Sequence, residues 1–378
     1  MSNLTRRNFL GLAGLGTLGF SLAACSNESS TPSVRTSGQS AVGADSNLVD
    51  AAKGEGSLQV LGSCGEDYLG AACKHFNELY GLDVSYKRIS SIEGQTLIEN
   101  SNGSPQFDVW FGGTTDPYNE LSDEGLLDAS YTPANSSHLM NDVYLSQRND
   151  WFGIYKGLLG FMYNKDEIER LNIDTPKDWP DLVDDKYKGL IWMPNYQTSG
   201  TARLILNTVI QEYGHQQGLE YLTQLDKNVQ EYTKTGGGPA ENIGSGECVI
   251  GIGFLHDGVA QIEDNGYENI GLVIPTSGAS YEVGATAALI GTAHPNAAHL
   301  WLEYALSPEC VELAAKNGSY QTLVIDTAHQ PSEISKHHLN PDDTIDYDFE
   351  DARLNTKEYV GEIMDALGGG KDSRFQNS

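Results

Sequence analysis

The sequence predicts an α/β protein of two lobes that close on one cleft, and three observations carry that reading. Residues 54–116 alternate short apolar runs with helical periodicity; 190–213 reads as strand, hydroxyl-rich loop and helix; and the aromatic, glycine-punctuated run 151–163 (WFGIYKGLLGFMY) looks like a crossing strand pair between the two.

Taken in order, SLQVLG at 57–62 is a strand, followed by a Ser63-Cys64-Gly65 turn. Leu69, Ala72, Cys73, Phe76, Leu79 and Tyr80 then recur at helical spacing, with Gly81 as the stop. LDVSYKRI at 82–89 is a second strand, followed by Ser90-Ser91 and a helix near 94–100. FDVWFG at 107–112 is a third, followed by Gly113-Thr114-Thr115. Strand-helix repetition of this kind makes a parallel sheet, with the turn residues collected at the carboxyl ends of its strands.

In the second region LIWM at 190–193 suits a buried strand, and Ala202, Ile205, Leu206, Val209, Ile210 and Tyr213 form one helical face. Between them Thr198-Ser199-Gly200-Thr201 sets hydroxyls and free N–H groups at a helix N-terminus, a place that holds an anion or simply caps the helix. Leu219, Leu222 and Leu225 continue a helix, Gly236-Gly237-Gly238-Pro239 is a turn, and CVIGIGF at 248–254 is a buried strand leading into His256-Asp257. Strands at 270–275 and 283–290 return to the first lobe, helices follow at 295–305 and 308–315, and 346–367 is a last amphipathic helix.

Composition narrows the function. The chain has 378 residues and a formal net charge of -29, which argues against a nucleic-acid partner because phosphate backbones need a basic footprint. The first 24 residues read as a signal peptide: Thr5-Arg6-Arg7-Asn8-Phe9-Leu10 resembles a twin-arginine export signal, and Leu22-Ala23-Ala24-Cys25 a bacterial lipobox. Cleavage before Cys25 and lipid on its thiol would place the protein on the outer face of the cytoplasmic membrane. The mature chain would carry -29 − 2 = -31 charges, Arg6 and Arg7 being the only charges removed. Residues 25–54, rich in Ser, Thr, Gly and Asn, read as a flexible tether. Cys64, Cys73, Cys248 and Cys310 allow three pairings outside the cytoplasm, and with no Cys-x-x-Cys there is no signal for structural zinc.

No nucleophile elbow, zinc-protease helix, P-loop or dinucleotide fingerprint occurs. A hydrolase would have to use Ser199 with His256, and nothing near Ser199 in sequence activates it. Strand-end turns bearing hydroxyls recur instead, at Ser63, Ser90-Ser91, Thr114-Thr115 and Ser199-Gly200-Thr201. Two lobes carrying such turns suggest a clamp around a small anion.

Six segments carry a resemblance to a known family: 107–127 (FDVWFGGTTDPYNELSDEGLL), 154–165, 177–203, 230–258, 281–309 and 318–323 (GSYQTL). In these the chain resembles the solute-binding proteins of ABC importers, in the branch whose members bind ferric ion, phosphonates or sugar phosphates. The resemblance implies a type II periplasmic-binding-protein fold with a hinge cleft. Residues 55–152 and 272–330 would form lobe 1, 153–271 lobe 2, 331–367 a C-terminal segment packing on the lobes, and 368–378 a disordered tail. It implies an ABC permease and ATPase as partners, a monomer tied to the membrane through Cys25, no enzyme activity and no cofactor.

Ferric-binding members typically carry adjacent tyrosines where this chain has Phe254-Leu255-His256-Asp257. Its form is more like members that take phosphorylated sugars. The resemblance therefore implies Ser199, Gly200 and Thr201 as phosphate donors, and His256, Asp257 and Glu282 as contacts to the ligand's body. Ser63, Ser91 and Thr114 are the candidates in lobe 1. The alternatives are a ferric or other hard-metal site built from His256, Asp257 and Glu282, and an exported serine hydrolase.

Overall fold

The computed structural model describes residues 43–369 and 372–376; the signal peptide and Cys25 lie outside them. Ten strands are present among the described residues: β1 (Ser57–Gly62), β2 (Asp83–Arg88), β3 (Val109–Phe111), β4 (Phe152–Asn164), β5 (Ile191–Pro194), β6 (Val229–Thr233), β7 (Ile250–Phe254), β8 (Ile270–Val273), β9 (Tyr281–Ala288) and β10 (Thr322–Leu323). They are arranged β2-β1-β3-β9-β4-β7-β5-β6, with β8 and β10 also paired to β4. The strands β1, β2 and β3 are parallel to one another, as are β5, β6 and β7.

The segment 151–163 is one continuous strand rather than a pair. The first half of β4 pairs antiparallel with β9 and β10; its second half pairs antiparallel with β7 and β8. A single strand is thereby shared by two α/β halves, and the chain passes from β8 in one half to β9 in the other. Each half has its own core. Trp301 packs among Phe76, Phe111 and Tyr304 in the first, and Phe161 meets Trp179 edge-on in the second. The helix Phe349–Ala366, capped by the Asp348 carboxylate at Glu350 N and Asp351 N, contributes Ala352, Ile363 and Met364 to the second core.

Two stretches differ from expectation. The predicted tether 25–54 runs into the helix Ser46–Glu55: Asp45 accepts from Asn47 N at 2.7 Å, and Gly56 closes the other end in the left-handed region. The Glu55 carboxylate then holds the N-terminus of helix Pro295–Ala305 through Asn296 N and Ala297 N. At the other end the predicted disordered tail 368–378 contains a turn of helix at Ser373–Gln376. Arg374 donates to the Asp226 and Val229 carbonyls at 3.0 and 2.8 Å, and Phe375 stacks on Tyr232 with ring centroids 4.2 Å apart. Cys64, Cys73, Cys248 and Cys310 are all buried free thiols.

Candidate functional site

The carboxyl ends of the parallel strands in both halves face one cleft of about 680 Å³, counting the part open to solvent. Ser63, Ser91, Thr114, Ser199, Thr201, His256, Asp257 and Glu282 all line it. Gly200 does not line it but lies on the seam where the halves meet. A Cβ built there would overlap Thr114 Oγ1 and stand 3.1 Å from the Thr114 Cβ and Cγ2.

On the first lobe, Ser63 follows β1 and accepts a hydrogen bond from Trp110 Nε1 at 3.0 Å. Ser90 occupies the N-cap of helix Ser91–Glu99. Gly113, after β3, sits at φ 94°, a conformation that favours glycine, and its N–H donates to the Tyr155 hydroxyl at 3.0 Å. A side chain at 113 would also collide with Ser91, whose Oγ is 2.8 Å from where its Cβ would lie. Thr114 then holds the N-cap position of helix Thr115–Asp123, yet makes no side-chain cap bond. Its Oγ1 is buried and without a partner among the described residues. A buried hydroxyl left unpaired costs about 1–3 kcal/mol, so its placement at the cleft wall calls for a ligand or water acceptor.

The second lobe repeats the arrangement. Ser199 is at the N-cap position of helix Gly200–Tyr213, again without a side-chain cap bond, and it is 97% buried. Thr198 does not join the cleft, since its hydroxyl donates to the Lys234 carbonyl at 2.9 Å. Five helices of eight or more residues start at this cleft: Glu66–Tyr80, Ser91–Glu99, Thr115–Asp123, Gly200–Tyr213 and Leu255–Glu263. Their unpaired first-turn N–H groups and dipoles make the region attractive to an anion.

The opposite wall is acidic and polar. His256 Nε2 stands 3.5 Å from Asp257 Oδ1 and 3.9 Å from Glu282 Oε1, and His256 Nδ1 has no partner among the described residues. Gly157 on β4 makes room for this group: a Cβ there would lie 2.6 Å from His256 Cε1 and 2.8 Å from Glu282 Oε1. Burial pushes His256 down to about 3, so its ring is neutral at physiological pH. Burial likewise pushes Glu282 well above the carboxylate range, with Asp257 adding to it. Asp257 is pushed up to about 7 by burial, against which Arg88 pulls it down. Asp257 lies in the first turn of its helix, and that helix has no side-chain cap bond.

Arg88, Glu241, Thr235 and Gln321 also line the cleft, and sequence reasoning did not select them. Arg88 is the last residue of the edge strand β2, and its Nε donates to the Cys64 carbonyl at 3.3 Å. The signal was present: a cation two residues before a hydroxyl turn already assigned to the cleft. Gln321 lies in the GSYQTL segment beside β10 and enters through the pairing of that strand with β4.

The lobes touch across the cleft mouth. Lys234 pairs with Glu93 at 2.8 Å, holding the Glu93 carboxyl below its usual range, and Arg203 pairs with Glu120 at 3.1 Å.

A two-lobed α/β body hinged on shared strands around a polar cleft is the architecture of a solute-binding protein. The chain belongs to the bacterial extracellular solute-binding proteins, whose family model matches residues 109–349. Proteins of this family are periplasmic or extracellular; they bind small ligands and work with an ABC permease and ATPase. An uncharacterized protein of Haemophilus influenzae is 35% identical over 308 residues, covering 79% of this chain and 86% of its own.

Among solved structures, the periplasmic binding protein AfuA of Actinobacillus pleuropneumoniae, with exogenous fructose-6-phosphate bound, matches with a TM-score of 0.77 and 33% identity over 82% of this chain and 98% of its own. The periplasmic binding protein P5PA matches with a TM-score of 0.77 and 26% identity over 82% of this chain and 99% of its own. A ferric binding protein of Campylobacter jejuni shares the fold, with a TM-score of 0.70, at 18% identity over 82% of this chain and 99% of its own. No helix among the described residues is long and apolar enough to cross a membrane.

Proposed function

We propose that this protein captures a small phosphorylated or phosphonate-type organic anion, a sugar phosphate first of all, and delivers it to an ABC importer. In this reading Ser63, Ser91, Thr114, Ser199 and Thr201 supply the hydrogen bonds that hold the phosphate, with Arg88 as its counter-charge, while Gly200 closes the seam beside them. His256, Asp257 and Glu282 face the hydroxylated body. The protein is a monomer, anchored through lipid on Cys25 after twin-arginine export, and performs no catalysis.

The observation that carries this reading is the pair of buried serine and threonine hydroxyls, Thr114 and Ser199, that occupy N-cap positions without capping. Beside them, five helix N-termini and one guanidinium face a common space, opposite a hydrogen-bonding wall. The likeness to AfuA, which binds fructose-6-phosphate, supports the same substrate class. The ferric alternative is less favoured, because this chain has Phe254-Leu255-His256-Asp257 where ferric-binding members typically carry adjacent tyrosines, and no group of three or more His, Cys, Asp or Glu among the described residues is placed to hold a metal ion.

A thermal-shift screen tests the proposal. Fructose-6-phosphate and related sugar phosphates are expected to raise the melting temperature by mass action, while fructose does not. Stabilisation by ferric ion with no response to any phosphorylated compound would replace it with the metal reading.

A further inference from the structure

The charges that face the cleft do not balance a phosphorylated ligand. Among the described residues Arg88 is the one cationic side chain in the lining, against the carboxyls of Glu241, Asp257 and Glu282. A phosphate monoester brings close to two more negative charges at pH 7.5 to 8. His256 cannot compensate, because its burial holds the ring neutral. Five helix N-termini offset part of the excess, each with a fractional charge.

The carboxyls are unevenly placed to share this load. Glu282 is 95% buried, with Tyr155 and Gly157 of β4, Cys64 of the β1 turn and the His256–Asp257 pair around it. The His256 Nε2 distances of 3.5 and 3.9 Å to Asp257 and Glu282 are longer than a strong hydrogen bond, so neither carboxylate has a firm donor there. Arg88 draws the Asp257 carboxyl back down, while Asp257 itself adds to the rise at Glu282. An ionised Glu282 in this position is a buried charge without a partner, which folded proteins relieve by protonation. With the lobes apart, water would reach these groups and both would ionise.

We propose that closing the cleft on its phosphorylated solute draws one proton from solvent onto the Asp257–Glu282 pair, so that Glu282 meets the solute as a carboxylic acid donating a hydrogen bond. The only bond formed is the carboxyl O–H, and the proton comes from water or buffer. The surroundings support the direction: enclosure raises Glu282 well above its ordinary range, and partial burial raises the half-exposed Asp257 to about 7. The site then selects a solute offering an acceptor oxygen opposite Glu282, and its affinity falls as pH rises. This inference rests on the sugar-phosphate reading.

Isothermal titration with fructose-6-phosphate at pH 8, in Tris, HEPES and triethanolamine, tests it. Plotted against buffer ionisation enthalpy, the observed heat is expected to give uptake of about one proton, with affinity falling up to about tenfold per pH unit above pH 8. Glu282→Gln keeps an N–H donor and is expected to lose the buffer dependence; Asp257→Asn, should the first variant fail to fold, is expected to halve it or more. Buffer-independent heats in the wild type would overturn the proton claim and leave the sugar-phosphate reading standing. Unchanged proton uptake in both variants would also overturn it, by moving the proton elsewhere. No heat with fructose-6-phosphate would sink the reading and this inference together.

Discussion

Replacing Gly200 with alanine separates closure from folding. Gly200 begins the helix Gly200–Tyr213 on one lobe, and Thr114 belongs to the other. The added methyl would overlap Thr114 Oγ1 and come within 3.1 Å of its Cβ and Cγ2. With the lobes apart those Thr114 contacts are gone, and alanine is the better helix former by up to roughly 1 kcal/mol. In the closed state the clash falls on a packed seam, where overfilling costs about 1–3 kcal/mol. Calorimetry on Gly200→Ala should therefore give affinity for fructose-6-phosphate weaker by about 5- to 150-fold. The unliganded protein should melt no lower than the wild type. Thr114→Ala on the same background removes the hydroxyl and methyl that collide, so the double-mutant cycle should show the two changes coupled, the second partly rescuing the first. Unchanged affinity in Gly200→Ala would refute the closed seam, and loss of affinity matched by loss of unliganded stability would refute the separation of closure from folding.

Two further perturbations test the site and its surroundings. Ser199→Ala combined with Thr201→Ala should cost about 1.5–3 kcal/mol for each hydroxyl bonded to a charged phosphate, read as lost affinity by calorimetry; full affinity would return the loop to a plain helix start. Asp116 is buried beside Asn207 and pushed up to about 6, chiefly by burial and against the pull of Arg203. Its folded carboxyl binds the proton more tightly than the unfolded chain does, so it lowers stability as pH rises from about 4 to about 6 and by up to roughly 3 kcal/mol above that. Asp116→Asn should then raise the unfolding free energy in denaturant at pH 7.5 and leave it near the wild-type value at pH 3.5; an equal gain at both values would remove the charge from the explanation.

The parallel strand–helix repetition within each half was legible because apolar runs alternate with helical faces at regular intervals, and a parallel pattern forces turn residues to one edge. Ser63, Ser91, Thr114, Ser199 and Thr201 could be selected for that reason alone. His256, Asp257 and Glu282 came from family resemblance; local pattern would as readily have made Asp257 a helix cap. Arg88 escaped because on a largely exposed edge strand, where it follows Lys87 directly, a cation reads as solvated surface. Only the tertiary position of β2 turns its last residue inward. Helix Ser46–Glu55 was hidden by its Ser, Asn and Asp content, which suits caps and turns, and by an apolar face reduced to Leu48, Val49 and Ala52. Phe375 gave no periodic signal, and its burial against Tyr232 is a purely tertiary contact. The seam between Gly200 and Thr114, which are 86 residues apart by their numbers (200 − 114), likewise has no local signature.

The central claim is that the cleft holds a phosphate attached to a hydroxylated body. A calorimetric titration of the purified protein with fructose-6-phosphate and with fructose, at one pH and salt concentration, tests it most directly. The expected result is saturable one-to-one binding of the phosphate ester and at least a hundredfold weaker response to the unphosphorylated sugar, because several charge-assisted hydrogen bonds at about 1.5–3 kcal/mol each are lost together. Equal binding of the two sugars, or binding of neither beside tight uptake of ferric ion, would contradict it.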